Sequence, residues 1–302
     1  MKKQLNMQIQ KTHSKTLQEL NLMDDFMFDA ATVNLEVCKV IIELSLGIKI
    51  KNIAWREGQK VIHNLPGKRG IRMDFYVEDA EGRIFNVEMQ KRNEGNIPKR
   101  TRFYQALIDA PILKSGERGF DNLRSAYIIV ICGFDLFGQN LYRYTFENTC
   151  KERPEVSLND GCQKIILNTK GKNDDEVEKP LRDFLHYVEC SSDANVPENC
   201  DERIKYLHKV IGEIKSSEQM EVSYMKMEER DRLIEERGQA RGEVYKLINL
   251  VCKKISQNIT VSEIADILEE DETTIQQICD TAAEFAPEYD VEKIFAKLNL
   301  DS

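Results

Sequence analysis

Among the eight cysteines no two are spaced as CxxC, and the four histidines, His13, His63, His186 and His208, are scattered. The paired ligands that frame a structural zinc site are therefore missing. The thiols at Cys38, Cys132, Cys150, Cys162, Cys190, Cys200, Cys252 and Cys279 sit mostly inside apolar patterns, as reduced core cysteines do. No apolar run approaches the roughly 18 residues of a membrane span. The opening Met1-Lys2-Lys3-Gln4-Leu5-Asn6 also lacks the apolar segment of a secretory signal. These absences argue against a disulfide-framed secreted scaffold and against a membrane protein, and they predict a cytoplasmic location.

What the chain has is length and unevenly placed charge. At 302 residues, with 41% hydrophobic and 31% charged side chains, it exceeds one ordinary compact core, so two domains or one domain with a helical appendage are expected. The net charge is -9, yet Ile48 to Gln105 holds thirteen basic and seven acidic residues, leaving that segment at +6 and the remainder at -15. A basic segment suits an enzyme acting on a polyanion. A solvated basic face without a ligand has the same composition.

Within that segment, Arg72-Met73-Asp74-Phe75-Tyr76-Val77-Glu78 and Arg83-Ile84-Phe85-Asn86-Val87-Glu88-Met89-Gln90-Lys91 both alternate apolar and polar residues around a short Asp/Gly-bearing gap. That pattern predicts a half-buried hairpin. If Glu78 pairs with Ile84, Asp74 falls opposite Glu88. Like charges across a strand pair repel, so a cation between them is the natural companion. Glu88 and Gln90 share that face, whereas Lys91 points to the other. Carboxylates are hard oxygen ligands suited to Mg²⁺ or Mn²⁺. Taken alone, the same residues also fit the polar solvent face of an ordinary hairpin.

Around the hairpin the pattern alternates strands and helices. Leu35, Cys38, Ile42 and Leu46 recur at helical spacing and Gly47 supplies a stop, which predicts a helix from Asn34 to Leu46 carrying Glu36 and Glu43. Ile48 to His63 reads as an interrupted strand, and Pro98 opens a helix through about Leu113 that presents Arg100, Arg102 and Tyr104. Ala126 to Cys132 is a continuous apolar run, the mark of a buried central strand, with further strands at Leu141 to Phe146 and Lys164 to Asn168.

Lys170-Gly171-Lys172-Asn173-Asp174-Asp175-Glu176 reads as a linker, and the rest is helical. The expected divisions are an arm over 1–20, a domain over 21–171, linker and long helices over 172–245, and a small helical unit over 246–302. Asp201 to about Arg241 is dense in Glu, Lys and Arg, a charge-laced amphipathic pattern that offers a route to homodimerisation. Thr260-Val261-Ser262-Glu263 and Asp271-Glu272-Thr273-Thr274 are helix-start signals. They give a helix-turn-helix outline, but its acidic surface favours packing or protein contact over the DNA major groove.

Five blocks carry a resemblance: Met23-Asp24-Asp25-Phe26-Met27-Phe28, Lys68-Arg69-Gly70-Ile71-Arg72-Met73-Asp74, Asn86-Val87-Glu88-Met89-Gln90, Pro98-Lys99-Arg100-Thr101-Arg102-Phe103-Tyr104, and Ile131-Cys132-Gly133-Phe134-Asp135-Leu136-Phe137-Gly138. In this order they resemble the PD-(D/E)xK nuclease-family transposases, also described as recombination-promoting nucleases, over about residues 20–171. The resemblance implies an α/β fold. Its restriction-endonuclease-like core is a mixed sheet flanked by helices, and an all-helical C-terminal region follows. It also implies Mg²⁺-dependent (or Mn²⁺-dependent) DNA cleavage. Carried over, Asp74 and Glu88 are the catalytic metal ligands, Glu43 is the acidic residue of the first core helix with Glu36 second, and Gln90 stands where the superfamily often has lysine. A glutamine supplies no positive charge, so Lys68, Arg72 or Arg100 must provide it, with Arg100 and Tyr104 reaching one phosphate. The alternative is a catalytically weak fold kept as a DNA-binding or protein-interaction module.

Overall fold

A computed structural model describes residues 15–58, 61–62, 71–72, 74–113 and 119–298. The chain divides into two compact units, residues up to Val222 and residues from Ser223. In the first, helices α1 (Asp25–Thr32) and α2 (Leu35–Leu46) come first. The Asn34 side chain caps α2 by accepting from the Glu36 N–H, and α2 ends at Gly47 with φ 69°, a left-handed conformation that glycine adopts without a Cβ clash. The strands β1 (Ile53–Gly58), β2 (Val61–Ile62), β3 (Ile71–Arg72), β4 (Phe75–Asp79) and β5 (Ile84–Gln90) follow. Helix α3 (Ile97–Asp109) has Pro98 in its first turn, where a missing N–H costs nothing. The remaining strands are β6 (Ala126–Cys132), β7 (Arg143–Phe146), β8 (Thr149–Cys150), β9 (Arg153–Ser157) and β10 (Cys162–Asn168).

Six strands form one mixed sheet in the order β1-β4-β5-β6-β10-β7. The β5, β6 and β10 strands run parallel, and the other pairs are antiparallel. The register of the β4–β5 hairpin is the expected one, with Glu78 opposite Ile84, Tyr76 opposite Asn86 and Phe75 opposite Val87.

The hairpin is not half-buried, however. Six of the seven β5 positions are buried, because β6 pairs with its free edge and α3 covers the face that holds its polar residues. That face carries Tyr76, Ile84, Ala126, Ile128, Val130, Cys132, Tyr144 and Ile166 packed with Ile97, Tyr104, Leu107 and Ile108 of α3. Asn86 and Glu88 are buried among them at 0% and 2% exposure. The period of two was thus a mark of chemistry rather than of solvent. The opposite face meets α1 where Phe28 packs against Phe75 at 5.8 Å.

Beyond β10, Gly171 lies so close to the Tyr142 ring that a Cβ there would come within 2.4 Å of it, which accounts for the glycine in the turn. Helices α4 (Lys179–Glu189) and α5 (Glu202–Lys215) then pack against α1 and α2. Much of the stretch set down as linker and long helices thus belongs to the first unit. A break at Ser216-Ser217 separates α5 from α6 (Glu218–Ile255).

The second unit adds α7 (Val261–Leu268), α8 (Glu272–Ala283) and α9 (Val291–Lys297) to the end of α6. Ile248, Val251, Ile264, Ile275, Ile278, Ile294 and Phe295 form its core. Both start signals read from the sequence are made: Thr260 and Glu263 form a reciprocal capping box, and Asp271 accepts from the Thr274 N–H. Among the described residues no helix is long and apolar enough to cross a membrane.

Candidate active site

The hairpin register brings Asp74 beside Glu88, one residue before the start of β4. The Asp74 N–H donates to Glu88 Oε1 at 3.4 Å, and the Met89 N–H donates to Asp74 Oδ2 at 2.8 Å. Glu88 also accepts from Asn86 Nδ2 at 3.2 Å and from the Tyr104 hydroxyl at 3.3 Å. Burial, and then the Asp74 charge beside it, push the Glu88 carboxyl up to about 8. Burial also lifts Asp74 to about 6, helped by the charges of Asp29 and Asp25 and opposed by the Met89 N–H and Arg100. Two carboxyl groups that resist ionising together keep a proton between them near neutral pH until a cation displaces it.

Asp74 opens onto a cleft of about 530 Å³ lined also by Asp25, Asp29, Gln90, Lys91 and Arg100. Asp25 and Asp29 stand one turn apart on α1 and so share a face. Phe28 between them is the residue that packs on Phe75, which orients this turn of α1 toward the start of β4 and Asp74. Arg100, in the second turn of α3, lies over the Tyr104 ring at 5.8 Å. Among the described residues it pairs with Glu94 at 3.9 Å, and its buried Nη2 has no hydrogen-bond partner. An unsatisfied buried guanidinium nitrogen next to paired acids is costly unless an anion completes it.

The neighbouring cation is engaged elsewhere. Lys91 Nζ pairs with Asp24, which also holds Lys15 Nζ at 2.8 Å and accepts from the Asn21 N–H at 2.8 Å. Burial opposes ionisation of Asp24, but these donors together hold its carboxyl below the usual range. The cluster ties the end of β5 to the start of α1.

Of the residues expected at a site, Asp74, Glu88, Gln90, Arg100 and Tyr104 come together. Tyr104 does so as a buried donor to Glu88, at 4% exposure, rather than as an open phosphate contact. Gln90 lines the cleft. Glu43 is not brought to it. Its Oε1 accepts from the Ile50 N–H at 2.8 Å and its Oε2 pairs with Arg203 at 3.6 Å, so it fixes the chain leaving α2. Glu36 pairs with Lys39. Lys68 lies outside the described residues, and only the backbone of Arg72 is described. The acidic residues missed in the sequence are Asp25 and Asp29. Asp25 belongs to the acidic pair before Phe26, which serves equally as a helix-start signal, and nothing in the pattern singles out Asp29.

A family model described as PD-(D/E)XK nuclease family transposase matches residues 44–241. The chain belongs to this family. No curated protein and no solved structure matches it. For a PD-(D/E)XK nuclease family transposase, the mixed sheet flanked by helices with a helical C-terminal region is a restriction-endonuclease-like fold. Membership supports a nuclease- or transposase-related role with DNA as the implied substrate.

Divalent metals are typical of PD-(D/E)XK nucleases, and the donors here fit one. The carboxylates are hard oxygen ligands, and their raised proton affinities are what a divalent charge relieves. Asn86 Oδ1 beside Glu88 is also buried without a partner. Among the described residues no three His, Cys, Asp or Glu groups already form a closed metal cluster, so the fit rests on the Asp74–Glu88 pair.

Proposed function

We propose that the protein is a Mg²⁺- or Mn²⁺-dependent DNA endonuclease acting in recombination or with a mobile element, in the cytoplasm. The observation that carries this reading is buried Glu88 joined to Asp74, which opens onto a cleft that Arg100 also lines with an Nη2 that has no hydrogen-bond partner among the described residues. Asp74 and Glu88 would hold the metal, whose charge would activate a water and offset the charge gathering on the phosphate. Tyr104 orients Glu88 through its hydroxyl, and Asn86 steadies the other Glu88 oxygen. Arg100 binds a non-bridging oxygen of the scissile phosphate, providing the charge that Gln90 lacks. Gln90 orients water through its amide. Asp25 and Asp29 add negative charge that draws the cation to the open side of the pair. Self-association belongs to the same reading, since α6 exposes Met225, Leu233 and Ile234.

A second reading, a weakly catalytic DNA-binding module, is favoured by one specific observation: the lysine adjoining Gln90 is engaged by Asp24. Plasmid nicking with Mg²⁺ or Mn²⁺ decides between them. Asp74→Ala and Glu88→Ala should each abolish nicking; activity that survives both sinks the nuclease reading, and DNA binding without nicking in the wild type supports the module.

A further inference from the structure

The face of the sheet that carries Glu88 also carries an aromatic cluster that the proposed reaction does not use. Tyr144 of β7 lies in one cross-strand row with Ile166, Val130 and Glu88. Three strand spacings, about 14 Å, separate it from the carboxylate. The Phe137 ring meets Tyr144 edge-on at 4.9 Å and Phe146 at a tilt at 5.1 Å. Tyr144 is buried, but Phe137 is 36% and Phe146 45% exposed.

The cluster is held rigid from beneath. The Asp135 carboxylate accepts from the Tyr144 hydroxyl at 2.8 Å, the Phe137 N–H at 3.1 Å and the Asn140 N–H at 2.7 Å. The loop after β6 is therefore fixed before any ligand arrives. Lys164 of β10 pairs in register with Phe146 and so shares its face. It is partly exposed, and its charge acts on the exposed Asp160 just before the start of the same strand.

Exposed aromatic rings beside a partly exposed ammonium group are the arrangement that holds single-stranded nucleic acid: rings stack on bases while the cation meets phosphate. A duplex keeps its base faces stacked on each other, so only unpaired nucleotides can use such rings. We propose that Phe137 and Phe146 form a stacking platform for unpaired bases flanking the scissile phosphate, so that the substrate is single-stranded or frayed DNA. This rests on the nuclease reading; because α3 covers the row between Glu88 and Tyr144, the strand reaches the platform by passing around that helix.

The test is fluorescence anisotropy of a labelled oligothymidine, the same oligomer carrying abasic sites, and the matching duplex. Each is titrated with the full chain in EDTA so that hydrolysis does not intervene. The thymidine oligomer should bind tightest. Phe137→Ala should weaken its binding roughly ten- to a hundred-fold, and Phe137→Trp should restore it, with circular dichroism verifying both folds. Equal binding by wild type and Phe137→Ala, or equal binding of thymidine and abasic oligomers, overturns the proposal. So does a change of oligomeric state in Phe137→Ala without loss of oligomer binding, which would give the rings to a second copy of the chain. Because the readout involves no cleavage, it can fail or succeed independently of the plasmid assay with Asp74→Ala.

Discussion

Replacing Glu88 with glutamine should stabilise the metal-free protein, and increasingly so as the pH rises. The Glu88 carboxyl is lifted from 4.5 to about 8 by burial and by Asp74. Between those values the unfolded chain has released the proton while the folded chain keeps it. The folded state then binds more protons, and stability falls as pH rises. At roughly 1.4 kcal/mol for each unit, raising the pH from about 5 to about 7 costs the wild type on the order of 2 to 3 kcal/mol through this group. Glutamine has no proton to lose, and its oxygen still accepts from Tyr104. Urea unfolding in EDTA at three pH values across that range should show the wild-type and Glu88→Gln stabilities diverging by about that amount. Saturating Mn²⁺ should close the gap for the wild type alone, because the cation takes the place of the proton. Parallel stability curves for the two proteins would refute the claim that Glu88 holds its proton near neutrality.

Other substitutions separate the roles of neighbouring groups. Asp29→Asn removes a charge that acts on Asp74 and should weaken Mn²⁺ binding roughly ten-fold in calorimetry, equivalent to about 1.4 kcal/mol. Tyr104→Phe takes a hydrogen bond from ionised Glu88, so the acidic limb of the cleavage pH profile should move to higher pH while the apparent affinity for DNA is retained. Glu43→Ala should destabilise the fold by about 1 to 3 kcal/mol, since it orphans the buried Ile50 N–H and takes one of its two carboxylate partners from Arg203, yet leave Mn²⁺ binding unchanged. Loss of Mn²⁺ binding in Glu43→Ala with the fold intact would return that residue to the site.

The β4–β5 hairpin and the placing of Asp74 beside Glu88 were legible because they rest on short-range rules. Alternation set the faces, a short turn set the register, and the run from Ala126 to Cys132 marked the strand that became the neighbour of β5. What could not be read was which partner covers each face. The polar positions Asn86 and Glu88 suggested water, but they lie beneath α3, whose Tyr104 and Arg100 meet them from sixteen and twelve residues onward. The choice of Glu43 failed to reach the cleft for a similar reason. Periodicity locates a side chain on a helix but not the element that the helix turns toward, and Arg203, its partner, lies far along the chain. The β8–β9 hairpin escaped notice because its strands are short and exposed, with little apolar patterning to announce them.

The Asp24 cluster and the contact of Phe28 with Phe75 bear on where this protein can be cut. The family match starts at residue 44, whereas α1 lies wholly before it. A fragment trimmed to the matched residues would keep Asp74, Glu88 and Arg100 but lose one wall of their cleft. Lys91 would be released from Asp24, and Phe75 would be laid bare to solvent. Such a fragment would carry every residue of the motif and still be a poor reporter of activity, with a loosened strand end and a new lysine beside Gln90. Boundaries for expression, or for transplanting the domain, are better set by where Asp24 anchors the chain than by where sequence similarity begins.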